Sequence, residues 1–159
     1  MSDETKRAAQ EYLAGRLTEQ QQVQEQRLNA ALAVERASLV WRDVKEIVYR
    51  KCDEWNAITN EQTLVCKETI LGDLRIWCST RARYMTVHFD SRNLLITVKN
   101  SGRLEHETDV VMRIEGFRSG AGANDRDVRM IRNEEVVNID MLILGELRVL
   151  VGMSRQKNA

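Results

Sequence analysis

Two histidines and three cysteines carry most of the metal-binding and nucleophilic chemistry open to this 159-residue chain. By residue type, His88 and His106 with Cys66 and Cys78 would make a four-ligand zinc set. Structural zinc sites draw their ligands in close pairs, and no two of these four residues form one. Cys78 and His88 would also make a thiol–imidazole nucleophile pair. A reactive thiol needs an electropositive, partly exposed setting, and the spacing supplies none. Cys52, Cys66 and Cys78 are odd in number and lack a C-x-x-C spacing, so they read as reduced thiols. No metal and no cofactor are expected.

A second candidate is the loop Gly120-Ala121-Gly122-Ala123, flanked by Arg118 and Arg126. A phosphate cradle of the Walker type needs a terminal Gly-Lys-Ser/Thr, and a dinucleotide loop needs three glycines between a strand and a helix. This loop has neither, and it lies between expected strands. Arg118 and Arg126 stand as candidate anion contacts. Glu105, Glu107 and Asp109 alternate in sequence near Arg81, Arg83, Arg92, Arg103 and Arg113. Cross-strand pairing on a solvated sheet face accounts for them without general acid–base catalysis. No catalytic residue is assigned, and the reading leans away from an enzyme.

Composition narrows the classes further. Lys plus Arg number 24 and Asp plus Glu number 24. The balance is local as well, with a net charge of −1 over residues 1–60 and +1 over residues 61–159. Neither half has the excess that points to a polyanion, so no nucleic-acid partner is expected. No apolar run reaches spanning length and the first residues lack an apolar signal-peptide core, so no membrane is expected and the chain reads as cytoplasmic.

The elements that must position these groups are legible from periodicity. Residues 1–159 read as a single domain of α+β class: a helical segment over 1–58, an antiparallel meander over 61–137 and a C-terminal helix over 138–153. Ala30, Val34, Ala37, Trp41, Val44, Val48, Trp55 and Ile58 recur at three- and four-residue steps, as a helix face turned to a core requires. The N-terminal helix either breaks near Gly15, with Thr18 and Gln21 as a restarting capping box, or runs through Gly15 at a cost of about 1 kcal/mol. From Glu19 to Ala57 alone it would be about 58 Å long. A compact domain of this size is roughly 40 Å across, so the helix must bend, break or protrude.

After Asn60 the period becomes alternating. Strands are expected at 63–71, 74–80, 84–89, 94–99, 104–115 and 128–132, with turns between them. Residues 139–151 are rich in β-branched residues, as a strand would be, but fit a helix with Ile139, Leu142, Ile143, Leu147 and Leu150 on one face, although Gly145 sits in its middle.

The pattern supports two functional readings. Leu28, Leu32 and Leu39 lie within about 40° of one another on the side opposite the main stripe, which makes them candidates for self-association as a homodimer or for binding another protein. The alternative is a carrier, sensor or enzyme for a small apolar ligand, with Trp41, Val44, Val48 and Trp55 lining a pocket between helix and curved sheet. Trp77 falls opposite Leu74, Ile76 and Cys78, which leaves it exposed or lining a groove.

Overall fold

The computed structural model describes residues 2–122 and 124–154; Ala123 of the glycine-containing loop lies outside them. The chain runs α1 (Asp3–Thr59), β1 (Leu64–Glu68), β2 (Leu74–Cys78), β3 (Arg83–Asp90), β4 (Leu95–Asn100), β5 (Val110–Arg118), β6 (Arg126–Arg132), β7 (Glu135–Val136) and α2 (Ile139–Leu150). The seven strands form one antiparallel meander in sequence order. The fold is α+β, as the change of period after Asn60 requires.

α1 is a single helix of 57 residues, about 85 Å long at 1.5 Å per residue. Ser2 caps it by accepting a hydrogen bond from the Thr5 amide at 3.3 Å, and Asp3 and Glu4 sit at its positive end. Asn60 ends it in the left-handed conformation with φ 53°. There is no break at Gly15. Thr18 does not cap a second helix; its hydroxyl donates back to the Ala14 carbonyl at 3.0 Å, as a mid-helix threonine does.

The buried face of α1 is Ala33, Ala37, Val44, Val48 and Cys52. Ala30, Val34 and Ile58, assigned to that face from periodicity, are exposed. Ala30 and Val34 lie to one side of the line Asn29–Ala33–Ala37 that meets the sheet, and at Ile58 the stripe runs past the contact. At its end, Asn56 donates to the Leu64 carbonyl at 2.7 Å and accepts from the Leu64 amide at 3.0 Å, which fixes where β1 begins.

Both helices pack on one face of the sheet. Val44 and Val48 of α1 and Ile143, Leu147 and Leu150 of α2 share a core with the inward residues of β2 to β5. β2 shows the alternation cleanly: Leu74, Ile76 and Cys78 are buried while Arg75 and Trp77 are exposed. Across the contact α1 comes closest at Gly116 of β5. A Cβ there would lie 2.3 Å from the Asn29 carbonyl oxygen, so only glycine permits the crossing.

Two strand boundaries differ from expectation. β5 begins at Val110, not Leu104, because the chain turns inward at Gly102 and Arg103 against α2 and then follows exposed turns through residues 104–109. His106, expected in a strand, lies in this turn. The short β7 comes after a two-residue turn in which Asn133 and Glu134 both have positive φ, 51° and 64°, the geometry that tight hairpins need.

The inward turn serves α2. Asn138 caps that helix through the Met141 amide at 3.2 Å. Arg103 Nη2 then donates to Glu146 Oε2 at 2.7 Å, with both side chains under 5 % exposed. Arg103 Nη1 donates to the Val98 and Thr108 carbonyls, each at 3.1 Å, and Asn100 donates to both the Glu146 carbonyl and carboxylate.

Two substitutions test these contacts by denaturant unfolding. Gly116→Ala is expected to lower stability by about 1–3 kcal/mol, because α1 must move off β5. Arg103→Met is expected to cost about 3–5 kcal/mol by stranding a buried carboxylate, and combining it with Glu146→Leu should recover most of that loss.

Candidate functional site

The feature that packing within the chain leaves unexplained is the first part of α1. Residues 3–24 are exposed on every side of the helix and extend about 33 Å beyond the first partly buried position, Glu25. An isolated helix of that length is marginal in water, so a partner along it would change its stability greatly. Its apolar residues are not scattered. Leu13, Leu17, Leu28, Leu32 and Leu39 fall within an arc of about 100° at 100° per residue. Leu13 and Leu17 are 57 % and 58 % exposed, Leu28 and Leu39 are 41 % and 49 % exposed, and Leu32 is half-buried. The stripe faces away from Ala37 and Val48, hence away from the sheet.

The arm leaves the body at a charged root. Arg126 Nη1 donates to Glu25 Oε2 at 2.9 Å and to Asn29 Oδ1 at 2.7 Å, while its Nη2 donates to Glu25 Oε1 at 2.7 Å. Arg118 Nη2 donates to the same Oε1. Further along the helix, Arg36 pairs with Asp127 at 3.2 Å. Two guanidiniums on one carboxylate give a forked clamp of the strong, directional kind. The hydrogen bonds from Arg126 and then Arg118 hold the Glu25 carboxyl at about 2, well below its ordinary value. The loop beside the clamp is shaped by Asp125, which accepts from the Gly122 amide at 2.8 Å.

Each residue singled out from sequence has a definite place. Arg118 and Arg126, the candidate anion contacts, both donate to the carboxylate of Glu25 within the chain. Val44 and Val48 are wholly buried, and Trp41 stacks on Phe89 at 5.7 Å with the Lys45 ammonium 5.7 Å from its ring. A cavity of about 450 Å³ lies between β7 and α2, bordered by Arg132, Val136, Met141, Leu142, Gly145 and Arg148. Another hollow runs along α1 beside Arg16, Gln20, Val23 and Arg27. Neither is lined by Trp41, Val44, Val48 or Trp55.

The remaining chemical groups are dispersed. His88 is outward on β3 and bonded to Asp73 at 2.6 Å, whereas Cys78 is buried on the inner face. Cys52 and Cys66 are neighbours; the hydrogen bond with Cys66, then burial, push the Cys52 thiol far above its ordinary range, the reverse of an activated thiol. Among the described residues no three His, Cys, Asp or Glu side chains are grouped to hold a metal, and no helix is long and apolar enough to cross a membrane. Glu25 and Asn29 had no sequence signal as partners of Arg118 and Arg126, which lie 93 or more residues away.

The clamp predicts how the root of the arm responds to acid. The folded Glu25 carboxyl is lowered from 4.5 to about 2, so its contribution is complete above pH 4.5 and is lost as pH falls through about 2. Side-chain NMR titration should give a midpoint near pH 2. Amide exchange around residues 24–30 should accelerate over that window, and Glu25→Gln should remove the pH dependence.

No family model matches this chain, and no curated protein or solved structure compared with it matches either.

Proposed function

We propose that this protein is a non-catalytic self-associating module whose projecting helix pairs with the same helix of a second copy in antiparallel fashion. The observation that carries this reading is the symmetry of the exposed stripe. Positions 13, 17, 21, 24, 28 and 32 are occupied by Leu, Leu, Gln, Gln, Leu and Leu, with steps of four, four, three, four and four. The pattern reads the same from either end about a centre between Gln22 and Val23. A twofold axis at that point sets Leu13 against Leu32 of the partner subunit, Leu17 against the partner's Leu28 and Gln21 against the partner's Gln24. An isologous interface requires such self-complementarity, and central glutamines fix register as polar residues do in helical zippers.

The magnitudes are adequate. Fully burying a Leu contributes about 1.5–3 kcal/mol, and these side chains are about half exposed already. Eight of them per pair then contribute about 6–12 kcal/mol, comparable with an association cost of about 4–15 kcal/mol. The stripe lies on the side of α1 away from the sheet, so the two bodies do not compete with the pairing. Leu39 extends the same surface, where the partner's first helical turn would reach.

Light scattering with charge-swapped variants tests both the pairing and its direction. The unaltered chain should have the mass of a dimer at tens of micromolar. Leu17→Asp alone and Leu28→Lys alone should give folded monomers. The chain carrying both should recover the dimer, because antiparallel pairing sets each new acid against a new base. A parallel pair would set like charges together and stay apart. A monomeric unaltered chain would reject the reading.

A further inference from the structure

The sheet face away from both helices is bare, and its register gathers residues that are dispersed in sequence. Lys67, Arg75, Thr86 and Lys99 are directly opposite one another across β1 to β4. In the adjacent row Val65, Trp77 and Tyr84 are opposite one another. The Trp77 and Tyr84 rings are 6.2 Å apart and within 10° of parallel, and each residue is 42 % exposed. Arg75 adds its guanidinium 5.0 Å from the Tyr84 ring. Strands are about 4.8 Å apart, so the cationic row is about 14 Å long and runs beside a flat aromatic platform.

Charge on this part of the face is one-sided. No acidic side chain occupies either row. Acids elsewhere on the face are committed, Asp73 to His88, Asp90 to Asn93 and the Arg92 amide, and Glu115 to Arg113 and Arg129. Lys67, Arg75 and Lys99 form no ion pair among the described residues. The even charge balance of the whole chain therefore hides a positive strip.

We infer that this face binds single-stranded nucleic acid, with bases stacked on Trp77 and Tyr84 and the backbone phosphates held by Lys67, Arg75 and Lys99. Exposed aromatics on an open antiparallel sheet give unpaired bases a surface to stack on, and neighbouring cations track the backbone without reading sequence. A neutral sugar would use the aromatic rings but not three unpaired cations. An acidic peptide would use the cations but not a planar platform. Duplex DNA keeps its bases stacked inside and cannot reach the rings.

The test uses the full chain with a short fluorescein-labelled oligo(dT) strand, the matching duplex, and heparin as a polyanion without bases. Fluorescence anisotropy at low salt should show binding to the single strand and weaker binding to the duplex. Trp77→Ala should lower affinity about tenfold or more, the usual worth of one stacked base, while Trp77→Phe should retain most of it. Lys67→Ala and Lys99→Ala should each flatten the dependence of log affinity on log salt by about 0.7. These side chains are exposed, so thermal melts should be nearly unchanged; if Trp77→Ala does not fold, Trp77→Phe and the two lysine variants carry the comparison. No binding at low salt would overturn the inference. So would heparin competing as well as the strand with Trp77→Ala without effect, since that marks a polyanion surface only. Leu17→Asp should leave strand binding in place, which keeps this result separate from the oligomeric state.

Discussion

The rest of the structure depends on the close crossing of α1 over β5. Helix and sheet usually keep their distance because side chains fill the space between them. Here the spacer is removed from both sides, with Ala33 and Ala37 on the helix and Gly116 on the strand. The helix backbone at Asn29 comes down onto Gly116, and that single point sets the course of the helix on both sides of it. It puts Glu25 and Asn29 within reach of Arg126, and it sends the preceding residues past the end of the sheet. A larger residue at Gly116 would tilt the helix and carry the clamp away from its partners.

The second helix is held by a different force. α1 is long enough to be secured by area, whereas α2 has only 12 residues and a glycine in its middle. Its apolar face supplies adhesion but little direction. Direction comes from Asn100, at the end of β4, and Arg103, in the turn that follows, which both reach Glu146. A buried ion pair adds little net stability over an apolar replacement, but it permits one arrangement of the turn against the helix. The inward turn at Gly102 and Arg103 is the backbone consequence, and with the exposed turns after it delays β5 to Val110.

Some of this was legible in the sequence for clear reasons. β2 alternates with every inward position apolar, so its faces could be assigned residue by residue, and Trp77 lies on the bare face as that alternation implies. The long helix was legible from residue 24 onward, where no Gly or Pro interrupts it; its continuity through Gly15 was left open by the sequence, because one glycine costs only about 1 kcal/mol either way. Periodicity failed at Val34, which lies to one side of the line Asn29–Ala33–Ala37 that meets the sheet, and at Ile58, where the pattern outruns its partner surface. It failed again at residues 104–109, where alternating side chains imitate a strand but the chain is turned by Arg103. The clamp on Glu25 was illegible in principle, since it joins residues that only the tertiary crossing brings together. Likewise a charge count sums over the chain, while register sorts Lys67, Arg75 and Lys99 into one row.

The proposed pairing stripe and the proposed stacking platform lie on separate surfaces, so neither reading excludes the other. The stripe lies on the side of α1 turned away from the sheet; the platform lies on the side of the sheet turned away from α1. Pairing through the arm, as proposed, would cover no part of the cationic row. Two platforms on one assembly would also act differently from two free ones. Once a strand is held by the first, the second meets it at a high local concentration set by the span between them, so weak stacking and phosphate contacts at each can add to firm retention. A rigid helix is well suited to that role, because a fixed span favours strands long enough to bridge it and gives no advantage to shorter ones.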